Sequence, residues 1–81
     1  MKTAKYFSAS WCGPCKMFKP VVQELIDEGH PIEMIDIDEN QELALKYSIM
    51  SIPALVFEDE GKVVDSLLGA TSKEDLIERL S

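Results

Sequence analysis

Apolar and polar positions change period several times along this chain, and each change marks an element. Thr3 to Phe7 reads as a short strand that runs into Ser8-Ala9-Ser10, a break of small residues ahead of Trp11. From Pro14 onward Met17, Phe18, Val21, Val22, Leu25 and Ile26 recur at three- and four-residue steps, the apolar stripe of a helix lying on a core, and Gly29 ends it. Pro20 falls inside that stripe, where a proline removes one backbone bond and costs about 3 kcal/mol. The stripe keeps its phase across Pro20, so the pattern predicts one kinked helix rather than two. Asp27 and Glu28 fall at the negative end of that helix, a mildly unfavourable place for them.

Ile32, Met34, Ile35 and Ile37 mark a second strand, dense enough in apolar residues to predict burial on both faces. Leu43, Ala44 and Tyr47 suggest a short helix after Glu39-Asn40. Ala54 to Glu58 reads as a third strand, Asp59-Glu60-Gly61 as a turn and Lys62 to Leu68 as a fourth strand closing a hairpin. After Gly69-Ala70, Thr71 with Glu74 fits a capping box, and Leu76, Ile77 and Leu80 supply the buried stripe of a last helix. The order is βαβαββα, which predicts an α/β fold in one domain spanning residues 1–81: a mixed four-stranded sheet flanked by three helices, its first crossover right-handed.

Composition narrows the function. At 81 residues, 46% apolar and 28% charged, the chain is an ordinary small globular domain rather than a disordered or fibrous one. Its net charge of −7 repels phosphate backbones, which argues against nucleic-acid binding. No apolar stretch approaches a membrane span, and Met1-Lys2-Thr3-Ala4-Lys5-Tyr6 lacks the apolar run of a signal peptide, so the chain reads as cytoplasmic. Two cysteines separated by two residues cannot staple a fold across its length. The pair does chemistry, binds metal, or is inert.

Trp11-Cys12-Gly13-Pro14-Cys15 lies where the first strand hands over to the first helix. Cys12 then occupies the helix N-terminus, where free amides and the helix dipole favour a negative sulfur and lower a thiol's pKa. That makes Cys12 the candidate nucleophile. A three-residue helical step brings Cβ atoms to about 5–6 Å, against the roughly 3.5–4.5 Å of a disulfide. The ring can close with some strain, and a strained, exposed disulfide forms and breaks readily. Pro14 suits a first helical turn, which has no use for the missing N–H, and Gly13 lets the backbone turn without a side chain blocking the sulfur. Lys16 adds positive field. As half a zinc site the pair falls short, because a structural zinc takes four ligands and the chain adds only His30, expected on the far side from Cys12. An inert pair leaves Gly13 and Pro14 unexplained.

These residues carry a resemblance. Trp-Cys-Gly-Pro-Cys-Lys-Met followed by a helix proline resembles the thioredoxin family, and the likeness continues through Ser51-Ile52-Pro53, the Asp59–Gly61 turn and Gly69-Ala70. The chain begins at what would be the family's second strand and is close to a glutaredoxin in size. The resemblance implies a thioredoxin-like fold and a protein-disulfide reductase with no bound cofactor beyond a redox-active Cys12–Cys15 disulfide. Cys12 attacks a substrate disulfide and Cys15 resolves the mixed disulfide. It further implies a cis Ile52–Pro53 peptide whose Ile52 pairs with the substrate backbone like an added strand, a substrate surface of Trp11, Ile52, Pro53, Gly69 and Ala70, a monomer, and recharging by an NADPH-dependent thioredoxin reductase. Two alternatives remain at this point: a glutathione-dependent enzyme of glutaredoxin type, and a docking subunit that uses the fold only for binding.

The sequence departs from the family at three positions. Tyr6 stands where an aspartate often assists proton transfer to the second cysteine, Met34 where a lysine accompanies it, and Ser8 where a second tryptophan sits. Proton transfer at Cys15 is then left to water, Tyr6 or the substrate. Asp36-Ile37-Asp38-Glu39-Asn40 starts like a calcium loop, but Gln41 and Tyr47 occupy the positions of its glycine and final glutamate. Asp38 and its acidic neighbours read instead as a solvated face. Met17, Met34 and Met50 read as core filler, Met50 with a further option as a substrate contact.

Overall fold

The computed structural model describes residues 1–81. Its elements are β1 (Lys2–Ser8), α1 (Gly13–Asp27), β2 (Ile32–Asp36), α2 (Gln41–Lys46), β3 (Ala54–Asp59), β4 (Lys62–Leu68) and α3 (Lys73–Leu80), in the order expected from the sequence. The sheet runs β2-β1-β3-β4. β1 and β2 are parallel, while β3 is antiparallel to both β1 and β4, so the sheet is mixed.

β1 and β3 are the central strands, and strand alternation divides their side chains between two layers. Ala4 and Tyr6 of β1, with Leu55 and Phe57 of β3, face α1 and α3 and pack with Phe18, Val22, Leu25 and Leu76. Phe7, Ala54 and Val56 face the other way, onto Leu43, Tyr47 and Ile49 in and after α2. β2 is an edge strand, yet it is covered on both faces as expected: Ile32 is buried in the layer under α1 and α3 and Ile35 in the layer under α2, while Glu33 is exposed. Apolar density marked it as a strand, but only a neighbour on each side makes a strand central. Ile37 lies past the end of β2 and packs towards the cysteines.

α1 continues unbroken through Pro20. Its acidic end finds a partner: Lys73 Nζ on α3 lies 2.6 Å from both Glu24 and Glu28, tying the two helices together where the dipole alone would disfavour the carboxylates. α3 is capped one residue later than expected. Ser72, rather than Thr71, accepts the N–H of Asp75 at 3.1 Å, while the Thr71 hydroxyl donates to the Asp75 carboxylate at 2.9 Å. A serine and a threonine in succession offer the same capping chemistry, and the packing of Leu76 selects the phase. Leu76 is fully buried, whereas Ile77, expected in the stripe, is exposed. The β3–β4 hairpin turns through Glu60 and Gly61, both at positive φ, the twist a two-residue turn needs to match its strands.

One charge is buried on the α2 face. Glu58 accepts from Lys5 Nζ at 2.5 Å and from the Tyr47 hydroxyl at 2.8 Å, so β1, β3 and the end of α2 share one polar junction. The Lys5 ammonium first, and the Tyr47 hydroxyl second, hold the Glu58 carboxyl below the usual range. A depressed carboxyl contributes stability that is complete above its unfolded value, about 4.3, and is lost as the pH falls through the lower folded value. Urea unfolding is therefore expected to show stability declining below about pH 4.3, and Glu58→Gln is expected to lower stability at neutral pH while making that acid decline shallower.

Candidate active site

The carboxyl end of the central strand β1 delivers the chain to the start of α1. Cys12 is the residue that caps this helix, with extended backbone (φ −87°, ψ 112°), and its Sγ accepts the free N–H of Cys15 at 3.2 Å. The carbonyl of Cys12 in turn accepts from Lys16 N–H at 3.2 Å. The first turn is thus built around the sulfur, with Pro14 at a position where no N–H is called for. Cys12 and Cys15 form a disulfide with their Cα atoms 5.2 Å apart. Gly13 has open space where a Cβ would stand and no positive φ, so the backbone freedom expected of it is not what this turn uses.

The disulfide is buried rather than exposed: Cys12 retains 6% and Cys15 2% of their accessible surface. Ala9, Ile37 and Ile52 close over it, and the Ile52 carbonyl oxygen lies 4.0 Å from Cys12 Sγ. The Ile52–Pro53 peptide is cis. The Pro53 carbonyl accepts the N–H of Gly69 at 2.8 Å, which brings the Gly69-Ala70 loop beside it, and Gly69 has φ +89°, a region open to glycine at little cost.

Trp11 stands 65% exposed on the rim, held by its indole N–H donating to Asp38 Oδ2 at 2.8 Å. The sequence pattern places Asp38 on a solvated face and in a helix N-terminal cluster, with partner selection as a further option. Its position is set by the loop after β2, where Asp36 Oδ1 accepts the Asp38 N–H at 2.8 Å and the Asn40 side chain donates to the Asp36 carbonyl at 3.1 Å. The spacing of Asp36, Asp38 and Asn40 was the visible signal for this bracket, since such residues fold their side chains onto nearby backbone in turns. That the bracket meets Trp11 was not visible.

Tyr6 is fully buried, edge-on to Phe18 with ring centres 5.7 Å apart, and its hydroxyl donates to the Cys15 carbonyl oxygen at 3.1 Å. Burial pushes the phenol pKa up. The hydroxyl is therefore engaged with backbone, not with sulfur. Met34 is half-buried against the first core layer, but Met50 and Met17 are 93% and 84% exposed, so these two are not core filler. Lys16 is exposed and lines, with Ser8, Cys15, Lys19, Asp36 and Glu39, an open cleft of about 420 Å³. His30 lies with Thr3 and Ile32 at the opposite end of the sheet from the cysteines.

A disulfide across one helical turn, capping the helix that follows a central strand, defines an α/β thiol–disulfide oxidoreductase. The sequence profile of the Thioredoxin family matches residues 4–81. Thioredoxin of Bacillus subtilis is 51% identical over 75 residues, 89% of this chain and 72% of that protein. Thioredoxin of Staphylococcus epidermidis is 47% identical over 77 residues, covering 91% and 74%. The structure of Fasciola hepatica thioredoxin superposes with a TM-score of 0.89 at 36% identity, covering 99% of this chain and 81% of that one. A mutant thioredoxin from Halobacterium salinarum gives 0.88 at 35%, covering 98% and 71%. The chain belongs to the thioredoxin family, and it is a protein-disulfide oxidoreductase with a redox-active disulfide. These relatives do not favour the glutathione-dependent or docking-subunit alternatives.

Trp11 is the sole tryptophan, so its emission reports on this rim alone. Asp38→Ala is expected to increase the amplitude of fast indole motion in time-resolved fluorescence anisotropy and to change unfolding free energy by less than about 1 kcal/mol, because the bond it removes is exposed to water.

Proposed function

We propose that the chain reduces disulfides in protein substrates by dithiol exchange, with Cys12 as nucleophile and Cys15 as resolving thiol. The observation that carries this reading is the Cys15 N–H aimed at Cys12 Sγ from 3.2 Å at the start of α1. The same amide that touches the sulfur in the disulfide favours its thiolate once reduced, because charge on the acceptor strengthens a hydrogen bond. The positive end of α1 acts in the same direction and needs no movement to do so. Lys16 contributes a weaker, solvent-screened field.

The substrate approaches over the rim of Trp11, Ile52, Gly69 and Ala70. The backbone before Pro53 offers its polar groups to a substrate segment in the manner of an added strand. The substrate's own surface covers the Cys12 side of the disulfide, and exclusion of water there strengthens the local electrostatics. Gly13 keeps this approach free of a side chain, and Pro14 stiffens it. Tyr6 anchors the Cys15 carbonyl from beneath. The reading extends to a monomer acting as a single domain in the cytoplasm, recharged by an NADPH-dependent thioredoxin reductase. No helix is long and apolar enough to cross a membrane.

Two variants test the assignment. Cys12→Ser is expected to bring insulin disulfide reduction down to the uncatalysed rate, whereas Cys15→Ser is expected to accumulate a covalent adduct with substrate, visible as a mass increase that added dithiothreitol reverses. Retained turnover in Cys12→Ser would falsify the assignment, and so would an adduct formed through Cys15 in that variant.

A further inference from the structure

Each catalytic cycle moves a proton off Cys15 and later returns one, yet Cys15 is only 2% exposed. The buried titratable group beside it does not serve that transfer. Tyr6 spends its hydroxyl hydrogen on the Cys15 carbonyl, 3.1 Å away, and burial keeps the phenol protonated at neutral pH. Apart from Asp38, which accepts from the Trp11 indole, the titratable groups around this end of α1 are Tyr6 from β1, Lys16 and Lys19 on α1 itself, Asp36 at the end of β2 and Glu39 in the loop after it. All but Tyr6 line the open cleft that reaches Cys15 from the side away from Pro53 and Gly69. At about 420 Å³ the cleft has room for several waters, a water's share of liquid volume being about 30 Å³. Its lining of lysine, carboxylate, amide and hydroxyl groups is one that water wets. Ser8 forms part of the wall, and a small residue there leaves the space unfilled.

We infer that this cleft is the proton entry to Cys15, that water in it exchanges protons with the Cys15 sulfur in place of a buried side chain, and that Ser8 is the positioning residue that keeps it open. The inference rests on the proposed role of Cys15 as resolving thiol. During resolution, the Cys15 S–H gives its proton to cleft water and its electron pair attacks the Cys12 sulfur of the mixed disulfide. The Cys12–substrate S–S bond breaks, and the substrate sulfur leaves with that bond's electron pair and takes a proton from solvent. During recharging, the thiolate of the dithiol reductant attacks Cys12, the Cys12–Cys15 bond breaks, and Cys15 leaves as a thiolate that regains a proton from the cleft.

A symmetric aromatic disulfide whose thiolate absorbs visible light separates the steps in stopped flow. The first thiolate released reports attack by Cys12, and the second reports resolution by Cys15. With the unaltered protein at fixed pH, added imidazole, small enough to enter the cleft, is expected to accelerate the second phase by about twofold or more, while a bulky sulfonate buffer of similar pKa leaves it unchanged. Ser8→Trp is expected to slow the second phase about tenfold or more and abolish the imidazole effect, with the first phase within about twofold of the unaltered protein. Ser8→Ala is expected to change neither phase by more than about twofold, and Tyr6→Phe, which loses the anchor of the Cys15 carbonyl, is expected to keep the imidazole acceleration of its second phase. An imidazole-insensitive second phase in the unaltered protein overturns the inference, as does a second phase slowed by Tyr6→Phe and not by Ser8→Trp. The imidazole comparison decides even where Ser8→Trp does not fold. A missing first phase strikes instead at the assignment of Cys12, so the two failures are distinguishable.

Discussion

The arrangement of this protein depends on one short contact, the amide hydrogen of Cys15 held against the sulfur of Cys12. Helices begin with N–H groups that have no partner within the helix, and something must satisfy them. Serine, threonine, asparagine and aspartate do this in most proteins through oxygen. Here a sulfur does it, so capping the helix and readying the sulfur are the same interaction. A neutral disulfide sulfur is a weak acceptor and a thiolate a strong one, so the amide stabilises the reduced pair more than the oxidised pair.

For that contact to be useful the helix start must be held still, and the sheet does this. β1 is hydrogen-bonded on both edges, and it ends at Ser8, four residues before the sulfur. Tyr6, on the same strand, reaches across to the Cys15 carbonyl, so strand and helix are pinned to each other from within the core. On the other side, β3 begins directly after Pro53, and its pairing with β4 positions Gly69 to donate to the Pro53 carbonyl. The groups around the disulfide therefore come from the ends of strands and from the loops that follow them, with buried strands as their common support.

Charge is arranged with the same economy. The net charge of −7 is tempered where elements meet. Lys73 answers two carboxylates of α1, Arg79 bridges Asp75 and Asp65, and Lys5 answers Glu58 at the base of α2. The first two junctions are largely exposed and are worth little each. The third is buried, and leaving Glu58 there without Lys5 would cost far more than the pair contributes when whole. α2 has no fully buried residue of its own, so Tyr47, which meets both this junction and Phe7, is its main tie to the sheet.

The element order was legible from periodicity, because a helix on a core and a strand in a sheet each impose a repeat on neighbouring residues. Cys12 and Cys15 were legible for a related reason: both the helix start and its chemistry are local, written within Trp11–Cys15. What periodicity could not supply was which strand is central. Ile32, Met34 and Ile35 look as apolar as a core strand, but β2 has a neighbour on one side only. Nor could it match Lys5 to Glu58, separated by 53 residues, or bring Asp38 to the indole of Trp11 across 27. The sequence by itself determined the local elements and the sulfur chemistry, since both arise from forces acting within a turn or two of chain. The tertiary structure alone decided that the disulfide is buried, that Tyr6 serves backbone rather than sulfur, and that a cleft opens beside Cys15, because these depend on distances between residues that chain connectivity leaves free.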